Sequence, residues 1–137
     1  MLAFFAISGV LARFLSVENA ERDADQALIQ AQSKGRVNAM LSQLGGCRER
    51  PSCVAEVRAR VHNPRLLRPG SVKILQLVSP TAYSLTGATG KTRLAWTVIG
   101  TLPVVQCVRV RRTGNFLTGI HVKLLSVSAP ISNEGDC

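Results

Sequence analysis

The stretch LTGATGKTRL (residues 85–94) contains Gly-Lys-Thr, the sequence with which a nucleotide-binding P-loop ends. A P-loop also requires a glycine at the position that Leu85 occupies here. It requires a helix directly afterwards, whereas residues 93–99 alternate as a strand does. We therefore interpret TGATGK as a glycine-rich hairpin turn with a solvated Lys91, and we predict no phosphate site.

Acid–base catalysis by paired carboxylates is the second chemistry to consider. No Asp or Glu occurs between residues 57 and 133, although the chain carries a net charge of +9. Any carboxylate pair must therefore come from the N-terminal helices. The two histidines, His62 and His121, fit surface or half-buried positions better than a catalytic role. Because no hydrolase or zinc-enzyme motif is present, we predict that the protein is not an enzyme and has no catalytic residue, cofactor or metal.

The cysteines Cys47, Cys53, Cys107 and Cys137 are even in number, and one of them is the last residue, which predicts disulfides. Four cysteines allow three pairings. The short loop around RERPS favours Cys47–Cys53, which leaves Cys107 to hold Cys137. Zinc is the alternative, but the spacings match no finger or ribbon pattern. Since disulfides form in oxidising compartments, we expect the domain to lie outside the cytoplasm.

Residues 2–17, LAFFAISGVLARFLSV, are apolar apart from Arg13 and two serines. This length lies between the apolar region of a signal peptide, about 7–15 residues, and a membrane-spanning helix of about 20. No basic residue precedes the stretch, and SVENAERDA offers only a poor cleavage site. We predict an uncleaved, single-pass membrane anchor over residues 1–17, with Arg13 reaching the lipid headgroups, and one extracytoplasmic α+β domain over residues 18–137. A buried core helix is the alternative for residues 2–17.

Periodic apolar positions predict helices first and strands afterwards. A helix runs on from Val17, SKGR (33–36) interrupts it, and a second helix ends at Gly45-Gly46. Its apolar stripe is predicted to consist of Ala20, Ala24, Ala27, Leu28 and Ala31. A short third helix has Ser52 as its predicted N-cap and ends at Asn63-Pro64.

Four strands are predicted, near residues 71–79 with a continuation past Pro80 through 81–86, and near 92–100, 103–112 and 116–128. RRTGNF is predicted to be the tight turn between the last two. Ser79-Pro80 indicates a bulge or an edge. The predicted fold class is α+β, with N-terminal helices packed on a curved antiparallel sheet of about four strands.

Alternation along the last two strands separates apolar from basic side chains. The apolar positions that share one parity are Val104, Val108, Val110, Ile120, Val122 and Leu124, and they are predicted to face the helices. We predict a surface for an anionic partner from Arg109, Arg111, Arg112 and Lys123, with a solvated sheet face as the alternative. Lipid headgroups and acidic polymers fit such a surface. Nucleic acid is disfavoured because only Tyr83, Trp96 and Phe116 offer stacking platforms beyond the anchor.

The stretch ENAERDADQALIQAQSKGRVNAMLSQL resembles the opening helix pair of the cystatin-like cone fold, which SnoaL-like and nuclear-transport-factor-like domains share. A membrane anchor that leads into such a domain is similar to the Mce-associated proteins of actinobacteria. The resemblance covers about residues 18–128 and implies a curved sheet behind the helices. Enzymes of this fold place an Asp, His or Tyr in the cone mouth, where only Tyr83 and His121 are available, so the resemblance implies a non-catalytic member.

The order of an apolar helix, an antiparallel sheet and a C-terminal disulfide is also similar to the plan of type IV pilins and pseudopilins. Those proteins carry a Glu at the fifth position of the mature chain, where this chain has Phe5. We therefore expect a non-enzymatic, membrane-anchored binding or scaffolding module of the cell envelope, whose partners are lipids through residues 1–17 and envelope proteins or acidic polymers. The alternatives are a pilin-like subunit and a small-molecule-binding or enzymatic cone-fold domain. A homo-oligomer is also left open.

Overall fold

The computed structural model describes residues 1–80, 87–115, 117–132 and 137, the side chains of Phe14 and Val17 excepted. It confirms the α+β class, with helices first and a four-stranded antiparallel sheet after them. The helices are α1 (Leu2–Ser33), α2 (Val37–Gln43) and α3 (Pro51–Val61). The strands are β1 (Val72–Val78), β2 (Ala88–Val98), β3 (Val104–Asn115) and β4 (Gly119–Val127). The predicted continuation of the first strand over residues 81–86, which includes Tyr83, lies outside the described residues.

The long helix α1 has two halves with opposite surroundings. Every described side chain from Leu2 to Ala20 is exposed, and burial begins at Glu21. The exposed half includes an 18-residue window of mean hydropathy 1.4 with none of its residues buried, and the helix is long and apolar enough to cross a membrane. A buried core helix is therefore the wrong description of residues 2–17.

The sheet is an open meander in the order β1-β2-β3-β4, with every neighbouring pair antiparallel. Its inner face packs against the second half of α1 and against α2 and α3, where Leu28, Met40 and Val57 meet Leu94 and Trp96. β-Bulges interrupt the register at Leu75 in β1 and at Leu125 in β4. A bulge adds one residue to one strand, and the one in β4 lets Leu124 and Leu125 both be buried.

Side chains from the helices cover both edges of the sheet. Along β1, Gln26 donates to the carbonyl of Val72, and Arg22 donates to the carbonyl of Ile74 at 3.2 Å. Along β4, Arg50 of the α2–α3 connection donates to the carbonyl of Leu125 at 2.9 Å. An uncovered edge offers unpaired backbone groups to another chain, and these contacts occupy several of those groups.

Both predicted disulfides are present. The bond between Cys47 and Cys53 closes the α2–α3 connection with a Cα–Cα distance of 5.3 Å, and the bond between Cys107 and Cys137 holds the last residue against β3 at 5.6 Å. No cysteine is left free as a zinc ligand. Before Cys137, Ile131 forms an antiparallel bridge with Val105 and so pairs with the end of β3 beyond the reach of β4.

Three local predictions are wrong in their boundaries. Residues 88–91 of the supposed hairpin turn belong to β2, where they pair with β3, and Gly90 does not have a positive φ. The tight turn before β4 lies between Asn115 and Gly119, because β3 continues through RRTGN. The N-cap of α3 is Arg50 and not Ser52, since Pro51 occupies the first helical position, where no backbone N–H is needed. The helix break at SKGR is confirmed.

Candidate functional site

Four exposed cations lie on the outer face of the sheet, which points away from α1. Lys91 comes from β2, Arg109 and Arg111 from β3, and Lys123 from β4. The register places Lys91 opposite Arg109, and Arg111 opposite Lys123. Like charges directly opposite one another on neighbouring strands destabilise a sheet. We call these four residues the basic face.

No member of the basic face forms an ion pair with another described residue; the ion pair that the described chain contains lies between Arg112 and Glu21. The acidic tail residues Glu134 and Asp136 lie outside the described residues. Glu56 of α3 is the acidic side chain that borders the region. The four cations of the basic face therefore repel one another, and all four are exposed to solvent.

Two open depressions flank Arg109 and give the basic face its shape. One, of about 340 Å³, is lined by Lys91, Arg109 and Arg60 together with the disulfide at Cys107. The other, of about 280 Å³, is lined by Arg109, Arg111, Lys123 and Arg50. Since Arg109 borders both, the two depressions form one elongated basic region that runs from β2 across the sheet towards α3. Arg50 and Arg60 extend it, and the sequence pattern did not single them out.

Arg112 is the member of the predicted surface that the structure places elsewhere. Its side chain points inward and is 2 % exposed, and its Nη2 forms an ion pair with Glu21 of α1, which is fully buried. Thr92 of β2 donates to the other carboxylate oxygen of Glu21 at 2.6 Å. The prediction of a surface role is therefore wrong for Arg112, because alternation along β3 puts its neighbour Arg111 outside and Arg112 inside.

Asp25 lies one helical turn after Glu21 on the same buried side of α1. Neither of its carboxylate oxygens has a hydrogen-bond partner among the described residues. Burial, and secondarily the charge of Glu21, raises the pKa of Asp25 to about 8, so the carboxyl is protonated at neutral pH. The name polar seam is used below for Glu21, Asp25, Thr92 and Arg112.

A second buried polar contact, closer to the end of α1, joins the helix to β3. The amides of Gln32 and Gln106 exchange hydrogen bonds of 2.9 and 3.0 Å, and the Nε1 of Trp96 donates to the same Gln106 oxygen at 2.8 Å. Because each amide finds its partner in the other element, this contact fixes the position of α1 along the sheet.

The polar seam contains two carboxyl groups, Glu21 and Asp25, and both come from the first helix, as the sequence predicted for any carboxylate pair. Its chemistry is structural in this arrangement, because Glu21 is held by Arg112 and Thr92 and both acids are fully buried. His62 is exposed at the C-cap of α3, and His121 is exposed on β4. Among the described residues, no group of three or more His, Cys, Asp or Glu is placed to hold a metal ion.

No family model, curated protein or solved structure matches this chain. The function is therefore argued from the exposed half of α1, the disulfides and the basic face.

Proposed function

We propose that the protein is a membrane-anchored module whose domain lies outside the cytoplasm and whose basic face binds an acidic polymer of the cell envelope. The observation that carries this proposal is the set of opposed cations Lys91–Arg109 and Arg111–Lys123 on an exposed sheet face. A sheet that served only as a scaffold would be more stable with mixed charges at these positions. A partner that supplies anions would relieve the repulsion.

The membrane attachment rests on the exposed half of α1. An apolar helical surface of this length is costly to leave in water, and a lipid bilayer is the environment that matches it. The extracytoplasmic side rests on the two disulfides, which persist in oxidising compartments.

An extended polymer fits the basic face better than a compact ligand does. The cations are spread over three strands, and both depressions beside Arg109 are open to solvent along the sheet. Binding by such a surface is electrostatic, so it weakens when added salt shortens the Debye length to below about 10 Å.

The test uses the full chain in neutral detergent and fluorescently labelled poly-glutamate as the probe. We expect the variant Arg109→Gln/Arg111→Gln/Lys123→Gln to bind the probe at least about tenfold more weakly, a loss of about 1.4 kcal/mol. The matched control is Lys34→Gln/Arg36→Gln/Arg65→Gln, which removes the same charge from exposed positions outside the basic face. Binding that falls equally in both variants would reflect net charge alone and would contradict the proposal.

A pilin-like subunit is the second candidate function, and one observation favours it. The helix α1 continues without a break from its exposed half into the half that packs on the sheet, which is the plan that resembles pilins. In that case the exposed half would pack against other copies of the chain. Cross-linking of the full chain in native membranes distinguishes the two, because a filament subunit gives a ladder of oligomers and an anchored module does not.

A further inference from the structure

The turn between β3 and β4 presents an exposed apolar side chain. The side chain of Asn115 accepts hydrogen bonds from the backbone N–H groups of Leu117 and Thr118, each at 2.9 Å. Gly114 has a φ of 87°, and a Cβ at this position would collide with the carbonyl of Gly119 across the hairpin. Leu117 lies at this turn with 73 % of its surface exposed. We call Asn115, Leu117, Thr118 and Gly119 the hairpin tip.

The hairpin tip lies beside the exposed half of α1. Arg13 donates from its Nη1 to the carbonyl of Leu117 at 3.1 Å. Further along the same helix, Glu21 meets Arg112, and Gln32 meets Gln106. The strand β3 is therefore antiparallel to α1, and its hairpin end points towards the first residues of the helix. At a rise of 1.5 Å per residue, Arg13 lies only about 12 Å below Glu21, where the domain begins to bury α1.

We propose that the hairpin tip is a second membrane contact, in which Leu117 enters the headgroup region beside the anchor. This inference rests on the anchor in the proposed function. An arginine near the end of an apolar helix extends to the headgroups, and Arg13 does so while bonded to the hairpin tip. The contact places the backbone of Leu117 beside Arg13, so its exposed side chain and the exposed apolar side chains of the helix would meet the bilayer together.

A second attachment point has a geometric consequence. A helix alone lets a domain rotate and tilt on the membrane, whereas a helix and a hairpin together restrict it. The strands β3 and β4 then rise from the bilayer, and the basic face stands above the headgroups with a defined direction. Large apolar side chains at the opposite end of the sheet do not share this position, since Ile99 and Leu102 lie in the β2–β3 connection and are 94 % and 83 % exposed.

The experiment places a tryptophan at the hairpin tip of the full chain in vesicles that contain brominated lipids. The variant is Leu117→Trp, and the matched control is Leu102→Trp at the opposite end of the sheet. Trp96, the one natural tryptophan, is fully buried and gives the same background in both. We expect the emission of Leu117→Trp to shift to the blue in vesicles and to be lost when the bromine lies close to the headgroups. The emission of Leu102→Trp is expected to stay unchanged.

Flotation of the same vesicles separates the two possible failures. If both variants float with the lipid but Leu117→Trp is quenched no more than Leu102→Trp, the hairpin contact is wrong and the anchor stands. If neither variant floats, the anchor is wrong and the hairpin contact is wrong with it. Equal quenching of both variants would describe a domain lying flat on the membrane and would also overturn the proposal.

Discussion

Arg111 and Arg112 are neighbours in the chain, yet they lie on opposite faces of the sheet, and their positive charges have different surroundings. Arg112 is buried, and it forms an ion pair with Glu21, which also accepts a hydrogen bond from Thr92. Arg111 is exposed and faces Lys123 across the strand pair, without an ion pair in the described part of the chain. On the inner face the positive charge is balanced by a carboxylate, whereas on the outer face positive charges lie next to one another.

The difference follows from what surrounds each charge. A buried ion without a counter-ion costs several kcal/mol, so an inward arginine requires a partner from within the fold. An exposed ion is solvated by water, so opposed cations on the outer face cost only about 0.2–1 kcal/mol per pair. A cost of this size is small enough for the opposed cations to be retained on a surface that binds a partner. This contrast makes the outer face the candidate for binding and the polar seam a structural element.

The largest expected effect breaks the inner ion pair. Arg112→Met leaves Glu21 buried without its counter-ion, and we expect it to lower the free energy of unfolding by about 3–5 kcal/mol. The control, Arg111→Met, removes the same charge from the outer face and is expected to change stability by no more than about 0.5 kcal/mol. Urea unfolding of the full chain in detergent measures both.

The double variant Glu21→Gln/Arg112→Met removes both charges and keeps an acceptor for Thr92. It is expected to recover most of the stability that Arg112→Met loses, because no uncompensated charge remains. Equal losses in Arg111→Met and Arg112→Met would show that the two faces do not differ as described.

The second effect concerns pH and the polar seam. The pKa of Asp25 is about 8 in the folded chain and about 3.9 in an unfolded one, so the folded state binds the proton more tightly. Stability from this group is therefore full below about pH 4 and is lost as the pH rises towards 8, by at most about 1.4 kcal/mol per pH unit. We expect Asp25→Asn to flatten this dependence between pH 5 and 8 in urea titrations. The outer-face variant Arg111→Gln should leave the slope unchanged, and an unchanged slope in Asp25→Asn would be evidence against a protonated Asp25.

The smallest effect sharpens the description of the outer face. Arg109→Glu places an acid opposite Lys91 and replaces a repulsive pair with an attractive one. We expect the free energy of unfolding to rise by about 0.2–1 kcal/mol, and the gain to shrink at high salt. The same variant should bind poly-glutamate more weakly than the parent chain. A gain in stability combined with a loss of binding would separate the two roles of the residue, whereas a loss of stability would mean that the cations do not repel one another.

Much of the fold follows from patterns that a single sequence carries. Apolar periodicity located the helices, the break at SKGR and the four described strands, and the number of cysteines located both disulfides. The strand ends were less accurate, because β2 begins at Ala88 by pairing with β3, and β3 continues to Asn115 by pairing with β4. The sequence alone does not distinguish a glycine in a paired strand from a glycine in a turn, because the partner strand is not known at that point.

The polar seam was missed for a different reason. Glu21, Asp25 and Gln32 share a helical face with the buried Leu28, but charged and amide side chains are ordinarily assigned to solvent. The predicted alanine stripe is therefore only partly right: Leu28 and Ala31 are buried and Ala24 packs against the core, but Ala20 and Ala27 are exposed. For Arg112 a signal existed, since it has the parity of Val108 and Val110. Residue type was given more weight than parity, and only the position of Glu21 across the core shows why a charge is tolerated there.

The side chains that shield the β1 edge determine which proteolytic cuts in α1 would release an intact domain. Arg22 and Gln26, which shield that edge, belong to the same helix as the proposed anchor. A protease that cuts before Glu21 would release a domain with its edge shielded and its ion pair intact. A cut only a few residues later would remove Glu21 and Arg22 together, leaving Arg112 without its counter-ion and the carbonyl of Ile74 without its donor. The distance between a cut that keeps the buried ion pair and one that destroys it is therefore less than one turn of helix.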